Sequence, residues 1–214
     1  MRSRRIYLMA VCGLVLAVLV ASVDGQAAQA SKTYSAKLVP LNASVAGSKA
    51  RGEARFTISG NTLTIRLNAQ GLPPGMMHMV HWHGFLSGKA ATCPGVAADT
   101  NHDGIIDLKE TEPAAGVTLV PLNGDPAALK IASNTYPIAS KTGRISYKQS
   151  VSLAALNREM AMKFSGTSLD LDKRVVFVHG VPASTTLPAS VASLPGVPAQ
   201  VTLPIACGKI VRTK

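Results

Sequence analysis

The sequence of 214 residues predicts an all-β protein, an antiparallel sandwich or barrel that carries one inserted calcium-binding loop. Three observations favour this class. Apolar and polar residues alternate in several short segments, which is the period of a strand with one buried face. Glycine, proline and asparagine separate these segments, as in antiparallel sheets joined by turns. Residues 99–110 also match the pattern of a twelve-residue calcium loop.

The first thirty residues have the pattern of a secretory signal peptide. Three arginines precede an apolar run over residues 6–23, and the small-residue triplet Ala28-Gln29-Ala30 offers a cleavage site. The stretch "SRRIYLM" also resembles a twin-arginine signal, so both the Sec and the twin-arginine routes stay open. We therefore expect residues 1–30 to be removed and residues 31–214 to form a periplasmic or extracellular β domain, with no membrane attachment after cleavage.

The chain is strongly basic, with a formal net charge of +11. Basic charge in an exported protein suits adhesion to acidic surfaces or the steering of anions. The lysines and arginines are scattered along the sequence and aromatic residues make up only 4% of it, which argues against a nucleic-acid partner. The sequence does not indicate an oligomeric state.

The first strands of the predicted sheet lie between residues 31 and 69. The segment "SKTYSAKLVPL" predicts an edge strand that ends at Pro40, because proline cannot donate a ladder hydrogen bond. The segment "ARFTISGNTLTIRLNA" predicts a hairpin, since Gly60-Asn61 supplies turn residues that accept a positive φ. One face of this hairpin is apolar and is expected to be buried.

Four later segments continue the strand pattern: "GVTLVPL", "GRISYKQSV", "KRVVFVHGV" and "IACGKIV". A short helix is expected only at "SLAALNREMAMKF". Residues 182–200 are rich in proline, serine and alanine, and they predict a long surface loop between the last two strands.

Residues 99–110 interrupt the β pattern with "DTNHDGIIDLKE", an EF-hand-type loop. Gly104 allows the sharp turn at the sixth position, and the flanking segments lack long amphipathic helices, so we interpret the loop as a structural clamp. His102, at the fourth position, is expected to face solvent. The predicted calcium ligands are Asp99, Asn101, Asp103, Ile105 (through its carbonyl), Asp107 (directly or through water) and Glu110.

Histidines form the second candidate site, in "MHMVHWHGF". His81 and His83 are two residues apart and share one face of a strand, whereas alternation places His78 on the other face. His179 ends another predicted strand, "RVVFVHG", so two strands could bring three imidazoles together. Imidazole ligands suit copper or zinc. The alternative is that these histidines only form hydrogen bonds at strand ends.

Removal of the signal peptide also removes Cys12 and leaves Cys93 and Cys207. An even pair in an oxidising compartment is compatible with one disulfide or with two free thiols.

The histidine segment "GLPPGMMHMVHWHGF" resembles the "G-L-x-P-G-x-H-G-F-H-x-H" segment of copper/zinc superoxide dismutases. The strands "RVVFVHG" and "LPIACGKI" resemble two later segments of that family, in the same order. The resemblance covers roughly residues 34–93 and 174–211. It implies a Greek-key antiparallel β-sandwich or barrel of superoxide-dismutase-like type, with a disulfide between Cys93 and Cys207.

The same resemblance implies that His81, His83 and His179 are copper ligands and catalytic residues, with superoxide as substrate, and that His78 is structural. The family's bridging histidine and remaining zinc ligands have no counterpart here, so zinc is not expected. Pro204 stands where the family has its active-site arginine, which predicts weak dismutase activity at most.

The "HWHG" motif also resembles chordin-type domains, which share the sandwich pattern. The sequence thus supports three hypotheses: a copper enzyme of superoxide-dismutase type, a copper-buffering protein, and a secreted structural or adhesive domain stabilised by calcium.

Overall fold

Eight antiparallel strands form the framework of the protein in a computed structural model that describes residues 30–47 and 49–214. They pair in the order β5-β4-β7-β8-β1-β2-β3-β6, and every neighbouring pair is antiparallel, so the predicted all-β antiparallel fold is confirmed. Residues 1–29, which hold all but the last residue of the predicted signal peptide, lie outside the described part. The strands are β1 (Lys32–Pro40), β2 (Arg51–Ser59), β3 (Thr62–Gln70), β4 (Val80–Gly84), β5 (Val117–Pro121), β6 (Arg144–Ser152), β7 (Val175–His179) and β8 (Pro204–Arg212).

The predicted hairpin is present, but the prediction of an edge position for the first strand is wrong. β2 and β3 pair from Ser59↔Thr62 onward, and Gly60 takes a φ of 55° in the turn between them. β1 pairs with β2 on one side and with β8 on the other. Pro40 ends the strand where expected, yet a proline at a strand end does not require that the strand lie at the edge of a sheet.

The main core lies on the inner face of the curled sheet. Alternate residues of the predicted apolar faces are buried there, including Phe56, Ile65 and Leu67. Trp82 of β4 packs edge-on against Phe56 with 5.2 Å between ring centroids. Full burial of such a side chain stabilises the fold by roughly 1.5–3 kcal/mol. The apolar periodicity of the sequence therefore determines which face of each strand points inward.

Side chains connect the two edge strands, β5 and β6, across the open seam of the sheet. Tyr147 of β6 donates its hydroxyl to the carbonyl of Asn123, just after β5, at 2.8 Å. Gln149 donates to the carbonyl of Gly124 at 3.4 Å. The sheet is therefore a curled half-barrel whose seam is bridged by side chains.

The helices are short and lie in the connections, and the expectation of a helix only at residues 152–164 is wrong because Leu108–Ala115 also forms one. The predicted helix is present as α3, begins after Ser152, whose hydroxyl accepts from the Ala155 amide, and buries Leu156 and Met160. Among the described residues, no helix is long and apolar enough to cross a membrane. The helices are α1 (Ala43–Ala46), α2 (Leu108–Ala115), α3 (Leu153–Lys163) and α4 (Ala199–Thr202), with 3-10 turns at Val96–Ala98, Pro126–Ala128 and Leu171–Lys173.

A second, smaller core covers the outer face of β7 and β8. The predicted disulfide between Cys93 and Cys207 is confirmed and lies in this core, with 5.8 Å between the Cα atoms. Phe177, Val175 and Ala115 pack around it. The bridge ties the long β4–β5 connection to β8 and so holds that connection over the outer face of the sheet.

Candidate metal centre

Three histidines meet on the outer face of two adjacent strands. β4 carries His81 and His83, and β7 ends at His179. Val80 and Trp82 of β4 belong to the inner core, so strand alternation directs His81 and His83 to the opposite face. β4 and β7 are hydrogen-bonded neighbours in which His81 lies opposite Phe177, so His179, two residues further along β7, is diagonal to His81.

Two irregularities in the sheet lie at the histidines themselves. The register of β4 against β5 shifts between Trp82 and His83, and that of β7 against β8 shifts between Val178 and His179. Such shifts add local twist and redirect side chains, and they are common next to functional sites. At both positions, therefore, a regular ladder of backbone hydrogen bonds would direct the histidine side chains differently.

The three rings form a nearly equilateral group. Ring centroids are separated by 5.9 Å for His81 and His83, 5.2 Å for His81 and His179, and 5.8 Å for His83 and His179. One nitrogen from each ring lies within 4.8 Å of the others. Across residues 30–47 and 49–214, no other set of three His, Cys, Asp or Glu side chains converges this closely.

Burial keeps the three rings neutral. Their exposed fractions are 3% for His81, 2% for His83 and 3% for His179. Loss of solvation lowers the pKa of His83 to about 3 and that of His179 to about 4, and for His83 the neighbouring His179 adds to the effect. The pKa of His81 is also lowered well below its ordinary value, first by burial and then by the other two rings. Neutral imidazole is the form that binds a metal ion.

A tyrosine hydroxyl selects the tautomer of His81. The Tyr136 hydroxyl donates to the Ile131 carbonyl at 3.0 Å, so its oxygen accepts from His81 Nε2 at 2.8 Å. The ring of Tyr136 also stands edge-on to His81, at 5.3 Å between centroids. His81 Nδ1 is left deprotonated, buried and without a hydrogen-bond partner.

The other two histidines also have one buried nitrogen without a partner. His179 Nδ1 donates to the Thr202 carbonyl at 2.8 Å, which leaves Nε2 unpartnered. His83 Nε2 lies 3.2 Å from the Thr118 hydroxyl, and its Nδ1 has no partner. Hydrogen bonds to the second ring nitrogen are the usual means of orienting histidine ligands around a metal.

His78 does not join the group. It is fully buried, with Nδ1 3.0 Å from the carbonyl of His179 and Nε2 2.9 Å from the carbonyl of Pro73. Gly180 follows His179 with a φ of 110°, and a Cβ there would come within 3.5 Å of His78 Nδ1. His78 thus braces the backbone at the end of β7.

The predicted calcium loop closes on itself through its own backbone. Both carboxylate oxygens of Asp99 accept from loop amides, at Asp103 and Gly104. Glu110 accepts from the amides of Thr100 and Asp107, and although burial raises its pKa, such backbone donors outweigh this and lower it. The carboxylates of the loop do not converge as the histidines do.

Asp107 has a different role from the other acidic residues of the loop. Its Oδ1 accepts from the amides of Lys109 and Glu110, which caps α2, and its Oδ2 accepts from the Ala192 amide at 2.6 Å. Ser190 donates to Asp103 at 2.5 Å. The loop is therefore fastened to the 182–200 segment. His102 is exposed, as expected.

The residues that orient the histidines were not found by sequence reasoning. Tyr136 lies in an irregular segment, Thr118 is an ordinary strand residue, and Thr202 contributes only a carbonyl. No motif marks them. A tyrosine next to a proline in an otherwise polar loop was the one available signal, and it is weak.

No protein-family model matches the chain, and no curated protein matches it. Among solved structures, the chain is similar to a double mutant of a SOD-like protein from Bacillus subtilis at 17% sequence identity. That similarity covers 81% of this chain and 94% of the other, with a TM-score of 0.42.

Proposed function

We propose that the protein is an exported metal-binding protein that holds one copper ion through His81, His83 and His179. The observation that carries this proposal is the set of three buried nitrogens without partners, one on each ring. A buried polar atom left unpaired costs about 1–3 kcal/mol, so three in one place represent a substantial penalty. A single metal ion shared by the three nitrogens would remove that penalty.

The donor set favours copper. Three neutral imidazoles without a thiolate or carboxylate suit copper or zinc, and copper binds such nitrogen sites more tightly than other divalent first-row metals. The resemblance noted in the sequence points the same way, because the counterparts of additional zinc ligands are missing. Bound copper would supply one-electron redox chemistry at this position.

The surroundings of the histidines favour binding over rapid turnover. All three rings are almost completely buried, so an ion between them is shielded from a solute such as superoxide. Pro204 lies opposite His179 in the β7–β8 ladder and cannot supply a positive charge to attract an anion. We therefore place copper buffering ahead of superoxide dismutation, with weak dismutase activity as the second candidate.

We also propose that calcium occupies the 99–110 loop and stabilises the domain. The complete ligand pattern and the glycine with a φ of 81° at position six support this proposal. The capped α2 begins within the loop at Leu108, whereas only a 3-10 turn precedes the loop. Short flanking elements suit a structural clamp better than a switch.

Copper titration followed by electron paramagnetic resonance tests the copper site. Wild-type protein should bind one copper ion per chain and show hyperfine coupling to nitrogen. The variants His81→Asn and His179→Asn should each bind copper more weakly and show weaker hyperfine coupling to nitrogen. His102→Asn is the matched control, because His102 is exposed and its φ of 58° suits asparagine.

Two results would contradict the proposal. Equal copper binding by wild type and His81→Asn would place the ion elsewhere. Absence of copper binding in the folded wild-type protein would leave the histidines with a packing role, and the domain with the structural or adhesive function. A superoxide assay on the copper-loaded protein then separates buffering from turnover.

A further inference from the structure

A second candidate surface lies on the outer face of β1, β2, β3 and β6, opposite the main core and on different strands from the histidines. Strand alternation places every second residue of these strands on that face. Apart from the apolar Val39, the residues on that face are polar. Glu53 is acidic, six are cationic and the others are uncharged. The six cations are Lys37, Arg51, Arg55, Arg66, Arg144 and Lys148. We call this surface the basic face.

Three of these cations stand in a row across three neighbouring strands. Arg55 of β2 lies directly opposite Arg66 of β3, and Arg66 lies directly opposite Lys148 of β6. Directly opposed residues have Cβ atoms about 4.5–5.5 Å apart, so the Cβ atoms of the three cations span about 10 Å. All three side chains are exposed.

A second, weaker cationic row lies two rows further along the same strands, beyond the row that contains Glu53. Arg51 and Arg144 lie on either side of Gln70 in the same register. Glu53 forms an ion pair with Arg55 at 2.9 Å. Within the described part of the chain, no carboxylate lies within ion-pair distance of Arg66 or Lys148. The charge of the basic face is therefore mostly uncompensated by the protein itself.

Folding alone does not explain this row. Like charges placed directly opposite each other in a sheet are destabilising. The next row along the same strands is neutral: Thr57, Thr64 and Ser150 occupy it, and the last two hydroxyls are hydrogen-bonded at 3.3 Å. These strands thus accept neutral side chains on this face, and the cationic row has a reason other than stability.

We infer that the basic face binds an acidic polysaccharide. Its outward residues include no aromatic ring on which a base could stack, so single-stranded nucleic acid is a poorer match than a polysaccharide. They include one apolar residue, so a membrane interior is a poorer match as well. Hydroxyl and amide side chains border the cations, among them Asn68, Gln70 and Ser146, and they suit sugar hydroxyls.

Binding to heparin, used as a sulfated polysaccharide probe, tests the inference. Wild-type protein should bind heparin at about 50 mM NaCl and release it at about 500 mM, because salt screens exposed charges. The double variant Arg66→Gln/Lys148→Gln should bind about tenfold more weakly, since each exposed charge pair contributes a few-fold. The control Lys130→Gln/Arg158→Gln removes the same charge from exposed positions elsewhere and should retain wild-type affinity.

Stability provides a second measurement on the same variants. Removal of the opposed charges should leave the melting temperature of Arg66→Gln/Lys148→Gln equal to or above that of wild type, which shows that weaker binding is not caused by misfolding. A lower melting temperature would contradict the repulsion in the row.

Three binding results would overturn the inference: absence of heparin binding at low salt, equal losses in both double variants, or tighter binding of a single-stranded oligonucleotide than of heparin. Equal losses would show that heparin binding depends only on the net charge of the protein and not on the basic face. Neither measurement depends on copper or calcium.

Discussion

Removal of the disulfide should cost the protein a large part of its stability. The change is Cys93→Ala together with Cys207→Ala. The bridge joins residues 114 positions apart. In the chain-entropy treatment, a cross-link over a loop of this length stabilises the folded state by about 5 kcal/mol, because it restricts the unfolded chain. Typical domains have a total free energy of unfolding of only about 5–15 kcal/mol.

Loss of packing around the disulfide lowers the free energy of unfolding by a further, smaller amount. Cys207 is 1% exposed and lies in the second core beside Phe177 and Val175. Alanine keeps the Cβ atoms, so the lost sulfur contacts are worth on the order of 1 kcal/mol. Phe177 in turn contacts His83, with 4.8 Å between ring centroids. Loosening of this core is therefore expected to disturb the candidate metal centre as well.

Urea unfolding of the oxidised wild type and of the double variant measures the effect. The variant should lose roughly 4–6 kcal/mol, and its m-value should rise because an unlinked chain exposes more surface on unfolding. Reducing agent should shift wild type toward the variant and leave the variant unchanged. A loss below about 2 kcal/mol would show that the unfolded chain is already restrained by other means, and the loop-entropy reasoning would fail.

Three further predictions concern the two candidate sites. Tyr136→Phe should lower copper affinity about 10–100-fold, because it removes the hydroxyl that orients His81. The control Tyr147→Phe loses a comparable hydrogen bond at the seam and should bind copper normally in the same titration. The metal-free protein should lose stability as the pH falls from 6.5 to about 4, because the pKa of folded His179 is about 4 and the unfolded chain binds more protons in that range. A denaturation midpoint that does not change with pH would contradict this. Calcium should raise the melting temperature of wild type and of His102→Asn but not of Glu110→Gln, and an equal rise in all three would place the ion elsewhere.

β1, β2, β3 and β6 were predictable because one face of each strand is buried and the other is mostly exposed. Alternation marks the inward residues, as at Phe56 and Ile65, and glycine-rich turns mark the ends. The neighbours of each strand were not predictable from the same pattern. β1 pairs with β8, about 170 residues later, and nothing local in "SKTYSAKLVPL" signals that contact. The edge assignment failed for this reason.

The candidate metal centre was likewise predictable only in part. The spacing of His81 and His83 follows directly from the period of a strand, and His179 was identified as the end of a second one. The groups that orient them come from distant or irregular segments, such as Tyr136, and their contacts depend on tertiary structure. The row formed by Arg66 and its neighbours was missed because cations scattered in the sequence become adjacent only through the register.

The acidic loop and the metal centre are parts of one hydrogen-bonded structure. Asp107 holds the amide of Ala192, and the next residue, Ser193, contacts the hydroxyl of Thr202 at 2.8 Å. The carbonyl of Thr202 accepts from His179 Nδ1 at 2.8 Å. The segment that connects β7 to β8 is thus held by the loop at one point and holds a proposed copper ligand at another. A continuous path of hydrogen bonds through residues 192–202 therefore links the loop to the histidine site.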